Sequence, residues 1–178
     1  MLGVLMAGGK SARLGYDKLV AELIGIPVLL YSYSSLAGSK ANPIYAAASG
    51  NSKDAINLLE SLGAKIIFTT GRSYPDDISL LSRVIGAPFL TLAADSIFVK
   101  PYHINKLIEA FRGKSIAGAV KINGRIAYVG LNIVVPGDSQ DQIYFFDEVN
   151  LGVSLNTTAD IDRVRRIIWN GGYLSLLQ

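Results

Sequence analysis

The sequence predicts an α/β protein built on a doubly wound, mainly parallel sheet that becomes mixed in its C-terminal third. Three observations predict it. Short apolar runs at 2–6, 43–49, 64–69 and 88–93 are bounded by glycine, proline or polar residues, as in strands buried on both faces. Segments of helical periodicity alternate with these runs, which is the parallel crossover pattern with ligands at the carboxyl ends of the strands. Asn123-Gly124 then separates two further apolar runs, a tight hairpin signal that brings antiparallel pairing into the sheet.

Leu2 to Met6 reads as the first strand and stops at Ala7-Gly8-Gly9, where absent side chains allow a sharp turn and close backbone approach to a ligand. A Gly-Gly alone is an ordinary strand-to-helix turn. Here Lys10, Arg13 and Lys18 crowd it, with Ser11 and Gly15 between them and only Asp17 opposing, so the stretch calls for a polyphosphate. Leu19 to Leu23 and Gly25-Ile26-Pro27 form a brief extended piece and a turn before a helix from Pro27 to about Leu36, with proline at its first position. Pro43 to Ser49 is the second strand, followed by Gly50-Asn51-Ser52 as capping residues. The next helix carries Ala55, Leu58, Leu59 and Leu62 inward and ends at Gly63.

Ala64 to Thr69 is the third strand, and a loop at 70–73 leads to Pro75, Asp76 and Asp77, which open a helix with Ile78, Leu81 and Ile85 on one face and Gly86 after it. Pro88 to Ala93 is the fourth strand and runs into Ala94-Asp95-Ser96, so Asp95 is expected at a carboxyl strand end. A helix from Pro101 to Phe111 buries Ile104, Leu107, Ile108 and Phe111; the lone histidine, His103, reads as solvent-facing and not catalytic. Ser115 to Lys121 and Ile126 to Val135 form the hairpin. Asp147-Glu148 is either a further carboxylate pair or an exposed turn. The last helix, Thr158 to Ile168, has Ile161, Val164 and Ile168 as its stripe, a capping-box spacing at Thr157 and Asp160, and Gly171-Gly172 as its stop. Arg163, Arg165 and Arg166 fall late in it, where cations complement the helix dipole. Tyr173 to Leu177 adds a strand, packs on the domain or serves a subunit contact.

A chain of 178 residues suits one domain over 1–178. No apolar run approaches the ~18 residues of a membrane span, and no signal-peptide pattern precedes the first strand. The absence of cysteine excludes disulfides and thiolate metal sites. A soluble, cytoplasmic protein without membrane insertion is expected. The net charge of +3 is spread along the chain, which favours a small anionic ligand over nucleic acid. A homodimer is left open.

Two phosphate-binding patterns fail at the glycine turn. The dinucleotide fingerprint GxGxxG does not fit the GGxxxxxG spacing, and a P-loop ending at Gly9-Lys10-Ser11 needs its first glycine at Val4, inside the strand. LMAGGKSARLGYDK instead resembles the nucleoside-triphosphate transferase signature, an apolar strand followed by AGGxSxRxGxDK, matched at Ala7, Gly8, Gly9, Ser11, Arg13, Gly15, Asp17 and Lys18. That MobA-like family includes molybdenum-cofactor guanylyltransferases, sugar nucleotidyltransferases and archaeal guanylyltransferases acting on adenosylcobinamide phosphate. The resemblance implies a Rossmann-like, nucleotide-diphospho-sugar transferase-like fold. It also implies nucleotide binding by Ala7, Gly8, Gly9, Lys10, Ser11, Arg13 and Lys18, with Lys10, Arg13 and Lys18 as the catalytic cations.

The same resemblance makes Asp95 a ligand for Mg2+, in keeping with the oxygen ligands that ion requires. A second ligand in the family comes from Asn-x-Asn-Thr; here the segment is Ser154-Leu155-Asn156-Thr157, so Asn156 matches, Ser154 departs, and Asn156 either ligates or orients its loop. Resemblance to the archaeal enzymes extends through SYPDDISLLSRVIGAPFLTLAADSIFVK, VGLNIVV at 129–135 and DEV followed by SLNT. It implies transfer of GMP from GTP onto adenosylcobinamide phosphate, with guanine read near Ala46 to Asn51 and Thr69 to Asp77. The alternatives are a molybdenum-cofactor guanylyl- or cytidylyltransferase and a nucleotide-binding regulatory module without turnover.

Overall fold

The first strand, β1 (Leu2–Met6), lies inside a seven-stranded sheet and buries its middle three residues. The structure, a computed structural model, describes residues 1–8, 18–50, 52–139, 142–153, 155 and 158–170. After β1 come a two-stranded ribbon of β2 (Glu22–Leu23) and β3 (Ile26–Pro27), α1 (Val28–Ala37), β4 (Ile44–Ala48), α2 (Lys53–Ser61) and β5 (Lys65–Phe68). The chain then returns across β1 through α3 (Tyr74–Ile85) to β6 (Phe89–Ala93). It continues through α4 (Pro101–Ala110), β7 (Ile116–Ile122), β8 (Arg125–Val134), β9 (Gln142–Phe146), a 3₁₀ turn (Val149–Gly152) and α5 (Thr158–Asn170).

The strand order is β5-β4-β1-β6-β8-β7-β9, and only β8 runs against its neighbours. The mainly parallel sheet that turns mixed after β6 is therefore the architecture the sequence predicts. Because β4 and β6 lie on opposite sides of β1, the switch point of the winding falls at the carboxyl end of β1.

The two faces of the sheet are covered unequally. Leu29 and Leu36 of α1, Leu59 of α2, Leu107 of α4 and Val164 of α5 share one large core. On the other face, among the described residues, α3 alone packs, its Leu81 meeting Val4, Ala47, Phe89 and Val134. The ends of α3 follow from its sequence: the Ser73 hydroxyl accepts from the Asp76 N–H at 3.2 Å, and Gly86 adopts φ 66° to close it. Asn123 and Gly124 both have positive φ, 49° and 76°, as a two-residue hairpin turn requires.

Several local expectations change. Pro27 is the residue before α1, not its first helical position. Leu62 caps α2 and is exposed, while Ile56 takes the inward place; Ser52 makes no side-chain capping bond, and Asn51 lies outside the described residues. Phe111 caps α4 instead of belonging to it. His103 is buried, not solvent-facing, because it borders the stripe of Ile104 and Leu107 and packs edge-on to Phe146, 5.3 Å between ring centroids. The three arginines lie in the middle of α5, whose last turn holds no basic residue, so the dipole account of them fails. Thr157, Gly171, Gly172 and Tyr173 to Leu177 lie outside the described residues.

Candidate functional site

At the carboxyl edge of the sheet the chain leaving β1 stays stitched to both neighbours: Ala7 N–H donates to Ala47 O at 2.7 Å, and Ala94 N–H to Met6 O at 3.1 Å. Gly8 follows in a tight place: a Cβ there would stand 3.0 Å from Thr69 Oγ1 and 3.3 Å from Asp77 Oδ2, so those side chains would have to give way. Gly71 closes on the same point. Its φ of 60° excludes most side chains, and a Cβ would lie 2.5 Å from Ser49 Cβ and 2.7 Å from Gly8 O. Ser49 Oγ donates to Gly8 O at 3.0 Å, so three loops converge in one tight backbone knot.

Beside this knot is a pocket of about 310 Å³ lined by Met6, Gly8, Lys18, Gly71, Asp77 and Asp95, with Tyr74 and Ala93 on its far wall. Lys18 and Asp95 meet across it: Nζ donates to Asp95 Oδ2 at 2.6 Å and to Leu155 O at 2.9 Å, each side chain 20% exposed. A short charge-assisted bond in a half-sheltered pocket is among the stronger polar contacts in proteins. The strand end at Asp95 and the segment at 155 are thus drawn to one cation. Asp95 shares the pocket with one further carboxylate, Asp77, and among the described residues no group of three or more His, Cys, Asp or Glu could hold a metal. That suits magnesium, which keeps water and takes one or two carboxylates beside substrate phosphates.

The sequence-predicted residues therefore divide. Ala7, Gly8, Lys18 and Asp95 come together at the switch point; Gly9, Lys10, Ser11, Arg13 and Asn156 lie outside the described residues. Asp147 and Glu148 stand at the far side of α4, where Glu148 accepts from the Tyr102 hydroxyl at 2.8 Å. That bond holds the Glu148 carboxyl below its ordinary range.

Sequence reasoning gives Asp77 as a helix starter and as the end of a stretch near which guanine would be read, without singling out its side chain. It is buried; its Oδ1 accepts from Thr70 Oγ1 at 2.9 Å and Gly71 N–H at 3.1 Å, and its Oδ2 faces Gly8. The available signal was its spacing from Leu81, which puts it on the inward stripe of α3. Behind it, Asn132 Nδ2 donates to the Tyr74 hydroxyl at 2.9 Å, and that hydroxyl lies 3.1 Å from Thr91 Oγ1. Burial raises the Tyr74 phenol above its usual range, so it stays neutral and ties the start of α3 to β6 and β8.

In a doubly wound sheet the switch point is where ligands bind, and here it carries a glycine knot, a lysine and a carboxylate. Residues 3–144 match the MobA-like NTP transferase domain family, and the chain belongs to that nucleotidyltransferase family. It is similar to an adenosylcobinamide-phosphate guanylyltransferase of Methanocaldococcus jannaschii, 26% identical over 97% of this chain and 100% of the relative. A probable molybdenum cofactor guanylyltransferase of Thermococcus gammatolerans is 29% identical over 63% of this chain and 57% of the relative. In fold the chain matches a CMP:2-keto-3-deoxy-manno-octonic acid synthetase complexed with CTP, with a TM-score of 0.77, 13% identity and coverage of 96% and 98% of the two chains. Among the described residues, no helix is long and apolar enough to cross a membrane.

Proposed function

We propose that the chain, acting as one domain over residues 1–178, transfers GMP from GTP to the phosphate of adenosylcobinamide phosphate, releasing pyrophosphate. The observation that carries the transfer chemistry is the Lys18–Asp95 pair in a pocket shared with Asp77. An acceptor phosphate oxygen attacks the α-phosphorus, the bond to the β-phosphate breaks, and pyrophosphate leaves on the opposite side. No protein base is required, because a phosphate monoester with a second pKa of ~6 is already largely ionised at neutral pH. Lys18, together with Lys10 and Arg13 of the signature, neutralises charge that grows on the leaving oxygens. Asp95, with Asn156 as ligand or loop orienter, would hold magnesium, which supplies charge neutralisation on the triphosphate.

Asp77 supports guanine as the base. Its Oδ1 is engaged by Thr70 and Gly71, which leaves Oδ2 facing the glycine knot as an acceptor. Guanine presents two adjacent donors, N1–H and the 2-amino group, to such an oxygen, whereas adenine and cytosine each pair one amino group with a ring-nitrogen acceptor. For the acceptor, the match along the full length of the Methanocaldococcus relative supports adenosylcobinamide phosphate. The Thermococcus match favours the molybdenum cofactor as the second reading. Pyrophosphate release measured with each of the four triphosphates and each acceptor decides: GTP with adenosylcobinamide phosphate is the expected pair, and turnover only with the molybdenum-cofactor acceptor, or only with CTP, overturns it. Release with no pair at all favours a regulatory nucleotide-binding module.

A further inference from the structure

Among the described residues, no helix covers, over the hairpin, the sheet face that α3 covers over β1, β4 and β6. The register fixes which side chains stand there. Thr91 pairs with Asn132 and Ala117 with Asn132, so these residues and the alternate ones that follow, Ala119 and Lys121, share the α3 face. Ala119 in turn pairs with Tyr128 on one side and Phe145 on the other, and Lys121 pairs with Ile126. Tyr128 and Phe145 therefore stand two strands apart, about 10 Å between backbones, with only the Ala119 methyl between them. Their exposures are 62% and 42%, and that of Ile126 is 50%. Lys121 Nζ stands 4.8 Å from the Phe145 ring centroid, so a cation edges the plateau.

This plateau lies at the same edge of the sheet as the pocket. At the irregularity where β8 slips against β7, Gly130 takes φ 74° and presses on β6: a Cβ there would lie 2.8 Å from Ala93 Cβ, and Ala93 lines the pocket. Tyr128 stands two residues before Gly130 in β8, about 7 Å away along the strand. Asn132, on the same face, holds the hydroxyl of Tyr74, the pocket's wall residue.

We infer that Ile126, Tyr128 and Phe145 form the docking plateau for the body of the acceptor, taking the flat apolar face of a bulky phosphate monoester whose phosphate reaches the Lys18–Asp95 pair. This rests on the transferase reading above. An exposed apolar patch is a candidate binding surface, and one at the same sheet edge as a phosphate-transfer pocket fits the substrate that must reach across it. A second copy of the chain fits less well. Three half-exposed side chains offer roughly 300 Å², against about 800 Å² per partner in a stable dimer. A corrin ring is such a body, with apolar faces to stack on the aromatic rings.

The test is the double variant Tyr128→Ser with Phe145→Ser, assayed with GTP and adenosylcobinamide phosphate beside the unaltered protein. Both side chains are exposed, so the fold and the KM for GTP should hold, while the KM for the acceptor rises about tenfold or more, as on removing ring-stacking contacts. An unchanged acceptor KM overturns the plateau and leaves the transferase reading standing. So does sedimentation showing that the double variant turns a dimer into a monomer, which would make the patch a subunit contact. If the unaltered protein transfers GMP to no such acceptor, the transferase reading itself falls and takes the plateau's occupant with it.

Discussion

The parallel half of the sheet, β5-β4-β1-β6, and the half that brings in the antiparallel strand, β8-β7-β9, solve opposite problems. In the first, backbones crowd: Gly8, Ser49 and Gly71 meet so closely that no side chain fits between them. In the second, crowding is confined to the strand interiors at Gly118 and Gly130: Gly124 at the hairpin tip has nothing within 4 Å of where its Cβ would be, and aromatic side chains stand open to solvent. On the proposed function the two halves handle different substrates. Crowded backbone with Lys18, Asp77 and Asp95 suits a compact, highly charged triphosphate; an open apolar face suits something large and flat.

The comparison is broken most directly at Asp95. Asp95→Asn keeps the shape but removes the charge beside Lys18 and from the proposed magnesium site, so turnover should fall roughly 10²-fold or more while the fold is retained. Steady-state rates over a magnesium titration, with circular dichroism as the control, check it. Unchanged turnover at limiting magnesium would return Asp95 to a structural partner of Lys18.

A paired glycine experiment sharpens the contrast. Gly71→Ala combines a left-handed φ with a clash against Ser49 and Gly8, so unfolding stability should drop by about 2–5 kcal/mol and GTP affinity with it. Gly124→Ala meets only the backbone strain, about 1 kcal/mol, and leaves GTP affinity unchanged. Urea titrations and calorimetric binding on both variants measure the pair. Equal losses would mean that the crowding near Gly8 has no part in the site.

The base-reading side of the pocket predicts a smaller change. Asp77→Asn replaces an oxygen acceptor by a group that can also donate, so preference for GTP over the other triphosphates should shrink about tenfold, each lost pairing being worth ~1–3 kcal/mol. The kcat/KM ratios for GTP and CTP give the answer, and an unaltered ratio would move guanine recognition elsewhere.

Legibility in the sequence follows the same division. The strands of the parallel half, the helix ends at Gly63 and Gly86 and the Asn123-Gly124 hairpin are local signals, and all stand where the residues indicated. The strand β9 was not legible because Tyr144, Phe145 and Phe146 are all apolar, so no alternation marks which faces the core; the structure turns Phe146 in and Phe145 out. Asp76 and Asp77 sit side by side in one helical turn, and only helical geometry separates the surface cap partner of Ser73 from the buried pocket residue. The Lys18–Asp95 bond joins residues 77 apart in sequence. No composition or spacing reports such a contact; the signature's resemblance pointed at each residue separately, and the strand order brings them together.

His103 supplies the finest test, because it belongs to the β8-β7-β9 half and not to the pocket. Its Nδ1 accepts from the Lys100 N–H at 2.9 Å, so the neutral ring carries its proton on Nε2, which lies 3.5 Å from Glu148 Oε1 without a good hydrogen bond. Burial lowers the imidazole's pKa below 6.5; Glu148 opposes this, while Lys106 and Lys100 add to it. A base whose folded pKa is depressed binds fewer protons than the unfolded chain as pH falls through the unfolded value of ~6.5. Its contribution to stability is therefore complete above that value and declines on acidification until the folded pKa is passed. Urea midpoints at pH 7.5, 6.5 and 5.5 should fall along that series, with a slope of no more than a single proton from this site. His103→Asn keeps a side-chain acceptor near the Lys100 N–H and removes the titration, so its midpoints should lose that part of the slope. Turnover should be indifferent to the same substitution, since no step of the transfer passes through α4. A turnover profile that shifts in His103→Asn would join the two halves of the sheet in one reaction and end the division drawn between them.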